Sequence, residues 1–70
     1  MNMKNTVLNA IRSTKGRFFG LHTLDGRSIN AQLIKETPSY VRVLDRNTKR
    51  NTLVSKANIN YVNFRGEMYS

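Results

Sequence analysis

The chain contains no cysteine, which excludes disulfides and thiolate metal sites. It has a single histidine, His22, with no carboxylate at metal-ligand spacing, so His22 is read as a structural or surface residue and no metal is expected. Ser28, Ser39 and Ser55 have no evident histidine–carboxylate partner. The few acids are scattered: Asp25 falls in a turn, Glu36 in a loop and Asp45 at a strand end, so nothing pairs them for acid–base work. There is no phosphate-binding loop and no dinucleotide fingerprint. The expectation is a protein that is not an enzyme and carries no cofactor. No stretch approaches the roughly 20 apolar residues of a membrane span, so no membrane partner is expected. The opening MNMKNTVLNAIR lacks the apolar core and small-residue cleavage site of a signal peptide. With the cysteine-free composition, this gives an expected cytoplasmic location.

What the chain has in excess is positive charge. Twelve Lys and Arg face four Asp and Glu, a net charge of +8. That imbalance favours a polyanionic partner, with nucleic acid the default. Seventy residues allow one domain. A chain this short buries only about 60% of its unfolded surface, so stability must come from a well-closed fold, self-association or both.

Phe18–Leu44 organises the rest. Two apolar runs meet at Leu24-Asp25-Gly26-Arg27, and an Asp-Gly step between extended segments is a strong hairpin signal. On the first run Phe19, Leu21 and Thr23 share one face, while Phe18, Gly20, His22 and Leu24 share the other. On the second, Ile29, Ala31 and Leu33 alternate with Ser28, Asn30 and Gln32, and Ile34 breaks the pattern as a bulge or bend would. Pro38 removes a ladder donor, so pairing should lapse between Lys35 and Ser39. Val41 and Val43 form one face of the next strand, Tyr40, Arg42 and Leu44 the other. A polar turn, Asp45–Asn51, leads to a fourth strand around Leu53 and Val54. Lys56-Ala57-Asn58 reads as one tight, 3₁₀-like turn. The fifth strand alternates Ile59, Tyr61 and Asn63 against Asn60, Val62 and Phe64. Arg65–Ser70 reads as a frayed end. Before all of these, Val7, Leu8 and Ile11 recur at helical spacing behind an Asn5-Thr6 cap, with Gly16 as the stop.

The expected architecture is therefore all-β: a small SH3-like barrel of five short antiparallel strands preceded by a short helix. The helix spans about residues 5–14, and the strands about 17–24, 28–35, 40–45, 51–55 and 59–64. An oligonucleotide-binding five-stranded barrel is the less favoured form, because 45–51 is too short for the helix it usually carries there.

In this order of elements the chain resembles the Sm-like superfamily and, within it, the bacterial Hfq-type RNA chaperones. Leu8-Asn9-Ala10-Ile11-Arg12 is similar to the end of that family's N-terminal helix. Leu24-Asp25-Gly26-Arg27 with Ile29, Ala31 and Leu33 is similar to its first hairpin, and Ser55–Val62 to its second motif. The match runs over about residues 5 to 64. It implies a ring in which strand four of one subunit pairs with strand five of the next, and single-stranded, uridine-rich RNA bound around the pore. Carried over by position, the base-stacking residue is Tyr40, the adjacent polar residue Ser39, the basic residue of the second motif Lys56 and its asparagine Asn58. The motif's Arg-Gly is Lys56-Ala57 here.

Two cationic clusters are candidates for phosphate contacts: Arg12, Lys15 and Arg17 at the helix end, and Arg46, Lys49 and Arg50 on the polar turn. Phe18 and Tyr61 are further candidate stacking platforms, although core packing is the ordinary role of an aromatic on a small barrel. The expected function is single-stranded RNA binding as a chaperone or post-transcriptional regulator. One alternative is a basic SH3-like module on double-stranded DNA. Another is a small adaptor docking on an acidic host or partner protein.

Overall fold

The computed structural model describes residues 5–70. The chain runs α1 (Asn5–Ser13), β1 (Phe18–Thr23), β2 (Ser28–Glu36), β3 (Tyr40–Asp45), β4 (Arg50–Ser55), a 3₁₀ turn (Lys56–Asn58), β5 (Ile59–Phe64) and β6 (Glu67–Tyr69). All six strands form one antiparallel sheet in the order β4-β3-β2-β1-β5-β6.

Side-chain alternation decides what lies inside. Phe19, Leu21, Ile29, Ala31, Val41 and Val43 are buried, as the period-2 pattern requires. Val54 on β4 and Val62 on β5 join the same apolar cluster although three strands separate them in the sheet. The sheet is therefore curled, and the molecule measures 28 × 24 × 22 Å. Val7, Ala10 and Ile11 of α1 close the cluster. A helix of nine residues is marginal alone, and this buried stripe is what holds it. Its last turn closes through the Thr14 hydroxyl, which donates to the Ile11 carbonyl at 2.7 Å.

The β1–β2 turn follows its composition. Gly26 sits at φ +90°, and the Thr23 hydroxyl donates to the Asp25 carboxylate while accepting from the Arg27 amide. The bulge expected at Ile34 is present, since Leu33 pairs with Val43 and Lys35 with Arg42. Ile34 is left exposed.

Two expectations are corrected. There are six strands rather than five: Arg65 and Gly66 take left-handed backbone, φ 54° and 80°, and return the chain along β5. The segment 65–70 is thus a hairpin arm, with Tyr69 packed against the core, rather than a frayed end. Secondly, the two faces of β5 do not follow strict alternation. His22 pairs with Tyr61 but Thr23 with Ile59, so Asn60 is bulged out and Ile59 and Val62 both reach the core. The ladder ends at β4 on one side and β6 on the other, and no ladder joins these two edges among the described residues.

Candidate nucleic-acid interface

Glu36, expected in a loop, is instead the last residue of β2, two positions beyond the Ile34 bulge: Lys35 still pairs with Arg42 and Glu36 with Val41, and pairing lapses only after it. Arg12, in the last turn of α1, grips its carboxylate with two bonds, Nε to Oε1 at 2.9 Å and Nη2 to Oε2 at 2.8 Å. The Lys56 ammonium adds a third at 2.7 Å. The Lys56 side chain is 14% exposed and that of Glu36 20%, so solvent screens the group only in part. These donors, Arg12 first and Lys56 second, hold the Glu36 carboxyl down from 4.5 to about 2. In return, Glu36 raises the pKa of Arg12.

The residues of the expected RNA pocket are therefore placed as follows. Ser39, Tyr40 and Lys56 come together: Tyr40 pairs with Ser55, and the Lys56 amide donates to the Ser39 carbonyl at 2.9 Å. The Lys56 ammonium, however, turns to Glu36. Asn58 lies elsewhere, with its carbonyl accepting from the Leu24 amide at 2.8 Å. The Thr23 hydroxyl, first, and Asn58 also depress the Asp25 pKa.

The cations of the β3–β4 turn form no ion pair among the described residues, although Arg50 lies directly across the β3–β4 ladder from Asp45. Asp45 accepts the amides of Asn47 at 2.9 Å and Thr48 at 3.4 Å, an Asx-type turn that uses its carboxylate on backbone. Arg46, Lys49 and Arg50 stand exposed around it. Arg46 leans back onto β1, with its guanidinium 5.1 Å from the Phe18 ring centroid.

At the helix end, Arg12 departs to Glu36, but Lys15 and Arg17 remain together. They line an open groove of about 400 Å³ with Ser13, Thr14, Phe64 and Arg65. Arg65 brings a third cation that the sequence pattern did not single out. Its guanidinium lies 5.3 Å from the Phe64 centroid. The Arg-Gly step after an apolar strand was the available signal, since it marks the turn that aims Arg65 here.

The largest addition is His22. Its ring stacks on Tyr61, centroids 4.3 Å apart and planes 9° from parallel. Nδ1 meets the Ser28 hydroxyl at 3.0 Å and Nε2 meets the Asn63 amide nitrogen at 3.1 Å. With Asn63 donating, Nε2 accepts and Nδ1–H donates to Ser28, so the imidazole is fixed in one orientation. A recess of about 210 Å³ beside it is lined by Tyr61, Asn60, Ser28, Arg27 and the turn. Period 2 put His22 on the outer face of β1, but only the strand order sets Tyr61 beside it.

Among the described residues no three metal-ligating side chains cluster, and no helix is long and apolar enough to cross a membrane. No protein-family model matches the chain, and no curated protein or solved structure matches it.

Proposed function

We propose that this protein binds single-stranded RNA, as a chaperone or post-transcriptional regulator of the Sm/Hfq-like type, and that its curled sheet is a Sm/SH3-like barrel. The observation that carries this reading is the distribution of unpaired cations. Lys15, Arg17, Arg46, Lys49, Arg50 and Arg65 lie outside the ion pairs among the described residues, which join only Arg12 and Lys56 to Glu36, and Arg27 to Asp25. Like charges left together on a small fold repel one another until a polyanion neutralises them. Half-exposed aromatic rings at Phe18, Tyr40 and Tyr61 favour unpaired bases over a duplex, whose bases offer no free faces. Phosphates are contacted from Lys15, Arg17 and Arg65 at the helix end and from Arg46, Lys49 and Arg50 on the β3–β4 turn, Arg12 being held by Glu36. Ser39 and Tyr40 supply the polar and stacking contacts beside Lys56.

Self-association into a ring belongs to the same proposal and has a structural condition. β6 already pairs β5 from Val62 to Phe64, whereas the outer edge of β4 is open. A Sm-type ring would therefore need β6 to yield its place or to offer its own edge to β4 of the next subunit.

The test is solution mass at low and high salt, with and without a short uridine-rich RNA, alongside duplex DNA of equal length. A ring-sized mass that binds the RNA and prefers it to the duplex supports the reading. A monomer indifferent to RNA overturns it, and preference for the duplex turns it into the DNA-binding alternative.

A further inference from the structure

The register of the central strands places an unusual set of side chains on the outer face of the sheet. Phe18 lies opposite Gln32. Two residues on, Gly20 lies between Asn30 of β2 and Asn63 of β5. Two further on, His22 lies between Ser28 and Tyr61. Directly opposed residues share a face, so these three rows are contiguous on one side of β2–β1–β5. Phe18 and His22 are about 13 Å apart along the strand, with only a glycine between them. The Asn60 bulge is what turns Tyr61 outward beside His22 rather than into the core.

We infer that this outer face is a base-binding platform for single-stranded nucleic acid, with Phe18 and the His22–Tyr61 pair as stacking surfaces and Gly20 as the floor between them. The inference rests on the RNA-binding reading and assigns it a surface distinct from the Tyr40–Lys56 region. Four features carry it. The His22 and Tyr61 rings are already stacked and the imidazole is bonded at both nitrogens, so a base adding to the stack orders little that is not already ordered. The asparagine amides flanking Gly20 offer both donors and acceptors, the groups that read exposed base edges. A cation stands at each end: Arg46 over Phe18, and, in the recess beside Tyr61, Arg27, whose Nε also lies 3.7 Å from Asp25 Oδ2. The carboxylates nearest these ends, Asp25 and Asp45, accept hydrogen bonds from their own turns. A face with polar readers, fixed rings and positive ends fits a single strand, whose bases are splayed and whose phosphates run alongside.

Gly20 provides the cleanest test. A Cβ there meets His22 Nε2 at 3.4 Å and Asn63 Cβ at 3.5 Å, ordinary contact distances. The two methyls of Gly20→Val reach beyond that Cβ and must push on the His22 ring or Asn63, so this variant leaves the charge unchanged and raises the floor between the two stacking surfaces. Binding of a fluorescently labelled twelve-nucleotide oligouridine is measured by anisotropy across a salt series, with Tyr61→Ala as a second variant and thermal melts of both as fold controls. The expected result is an affinity loss of about tenfold or more in each variant, as removal of a stacking contact gives, with the slope of log affinity against log salt unchanged. Tyr61→Ala decides alone if Gly20→Val does not melt like the parent. Parental affinity in a folded variant overturns the platform while leaving RNA binding standing. A parent protein that does not bind the oligouridine overturns the RNA reading, and the platform with it.

Discussion

The ammonium of Lys56 lies 2.7 Å from the Glu36 carboxylate, on the oxygen that also accepts Arg12 Nη2. Three segments far apart in sequence, the end of α1, the end of β2 and the turn after β4, are thereby tied to one side chain. Removing the carboxylate leaves two cations facing each other, one of them largely shielded from water. Glu36→Gln is expected to lower stability by about 1–2 kcal/mol, read as a lower urea midpoint at pH 7.

The same carboxylate makes stability depend on pH in a definite direction. Its pKa is depressed from 4.5 to about 2 in the folded chain. The folded state therefore binds fewer protons than the unfolded state across that interval, and stability falls as pH falls. The contribution is fully present above about pH 5 and is lost as pH drops through 4.5 towards 2. Urea melts at pH 7, 4.5 and 2.5 should show a progressive loss in the parent and a shallower one in Glu36→Gln. Equal slopes would mean that other carboxylates carry the acid sensitivity.

Lys56 separates structure from binding. Its charge is engaged by Glu36, so Lys56→Gln should reduce stability while changing the salt dependence of RNA binding by less than the roughly one unit of log–log slope that a phosphate-contacting cation contributes. A full unit lost from the slope, with stability unchanged, would return Lys56 to the RNA-binding role expected for it from sequence.

The β6 arm protects an edge. It covers β5 from Val62 to Phe64 and brings Tyr69 against the core. Truncation after Phe64 is expected to lower the melting temperature, through lost packing, and to increase self-association, through exposed strand edge. Light scattering over a concentration series reads the second effect. A truncated chain that stays at the mass of the full chain at all concentrations would show that this edge has no tendency to pair.

These relationships also show what local pattern conveys. Alternation sorted the residues of β1, β2 and β3 into their two faces, but on β1, where both faces carry apolar residues, it did not say which one lies inside. The Asp25-Gly26 turn and the Ile34 bulge were legible, each being a local break in a regular pattern. β6 was not, since Glu67–Tyr69 is too short for periodicity to register and is held by pairing with β5. The Asn60 bulge depends on register against β1, which no residue of β5 announces. Glu36 with Arg12 and His22 with Tyr61 are separated by 24 and 39 positions, and contacts of that kind appear only once the strand order is known. Charge, in contrast, was visible at once, but which cations remain free was not.

The β3–β4 turn allows that freedom to be measured. Arg46, Lys49 and Arg50 are exposed, and Asp45 is occupied by the amides of Asn47 and Thr48 rather than by a cation. Neutralising Lys49 and Arg50 together removes no ion pair of the described fold, so the Lys49→Gln/Arg50→Gln variant should melt within about 0.5 kcal/mol of the parent. If both side chains meet phosphates, affinity for oligouridine should fall and the log–log salt slope should shrink by about two units, one for each counterion no longer released. The loss should be similar for RNAs of different sequence, because phosphate contacts carry no base information. Arg46→Gln is expected to behave differently. Its guanidinium also covers the Phe18 ring, so its loss should weaken the salt-independent part of binding as well as the slope. A double variant whose slope matches the parent's would place the RNA away from this turn, leaving the groove formed by Lys15, Arg17 and Arg65 as the main phosphate-binding surface.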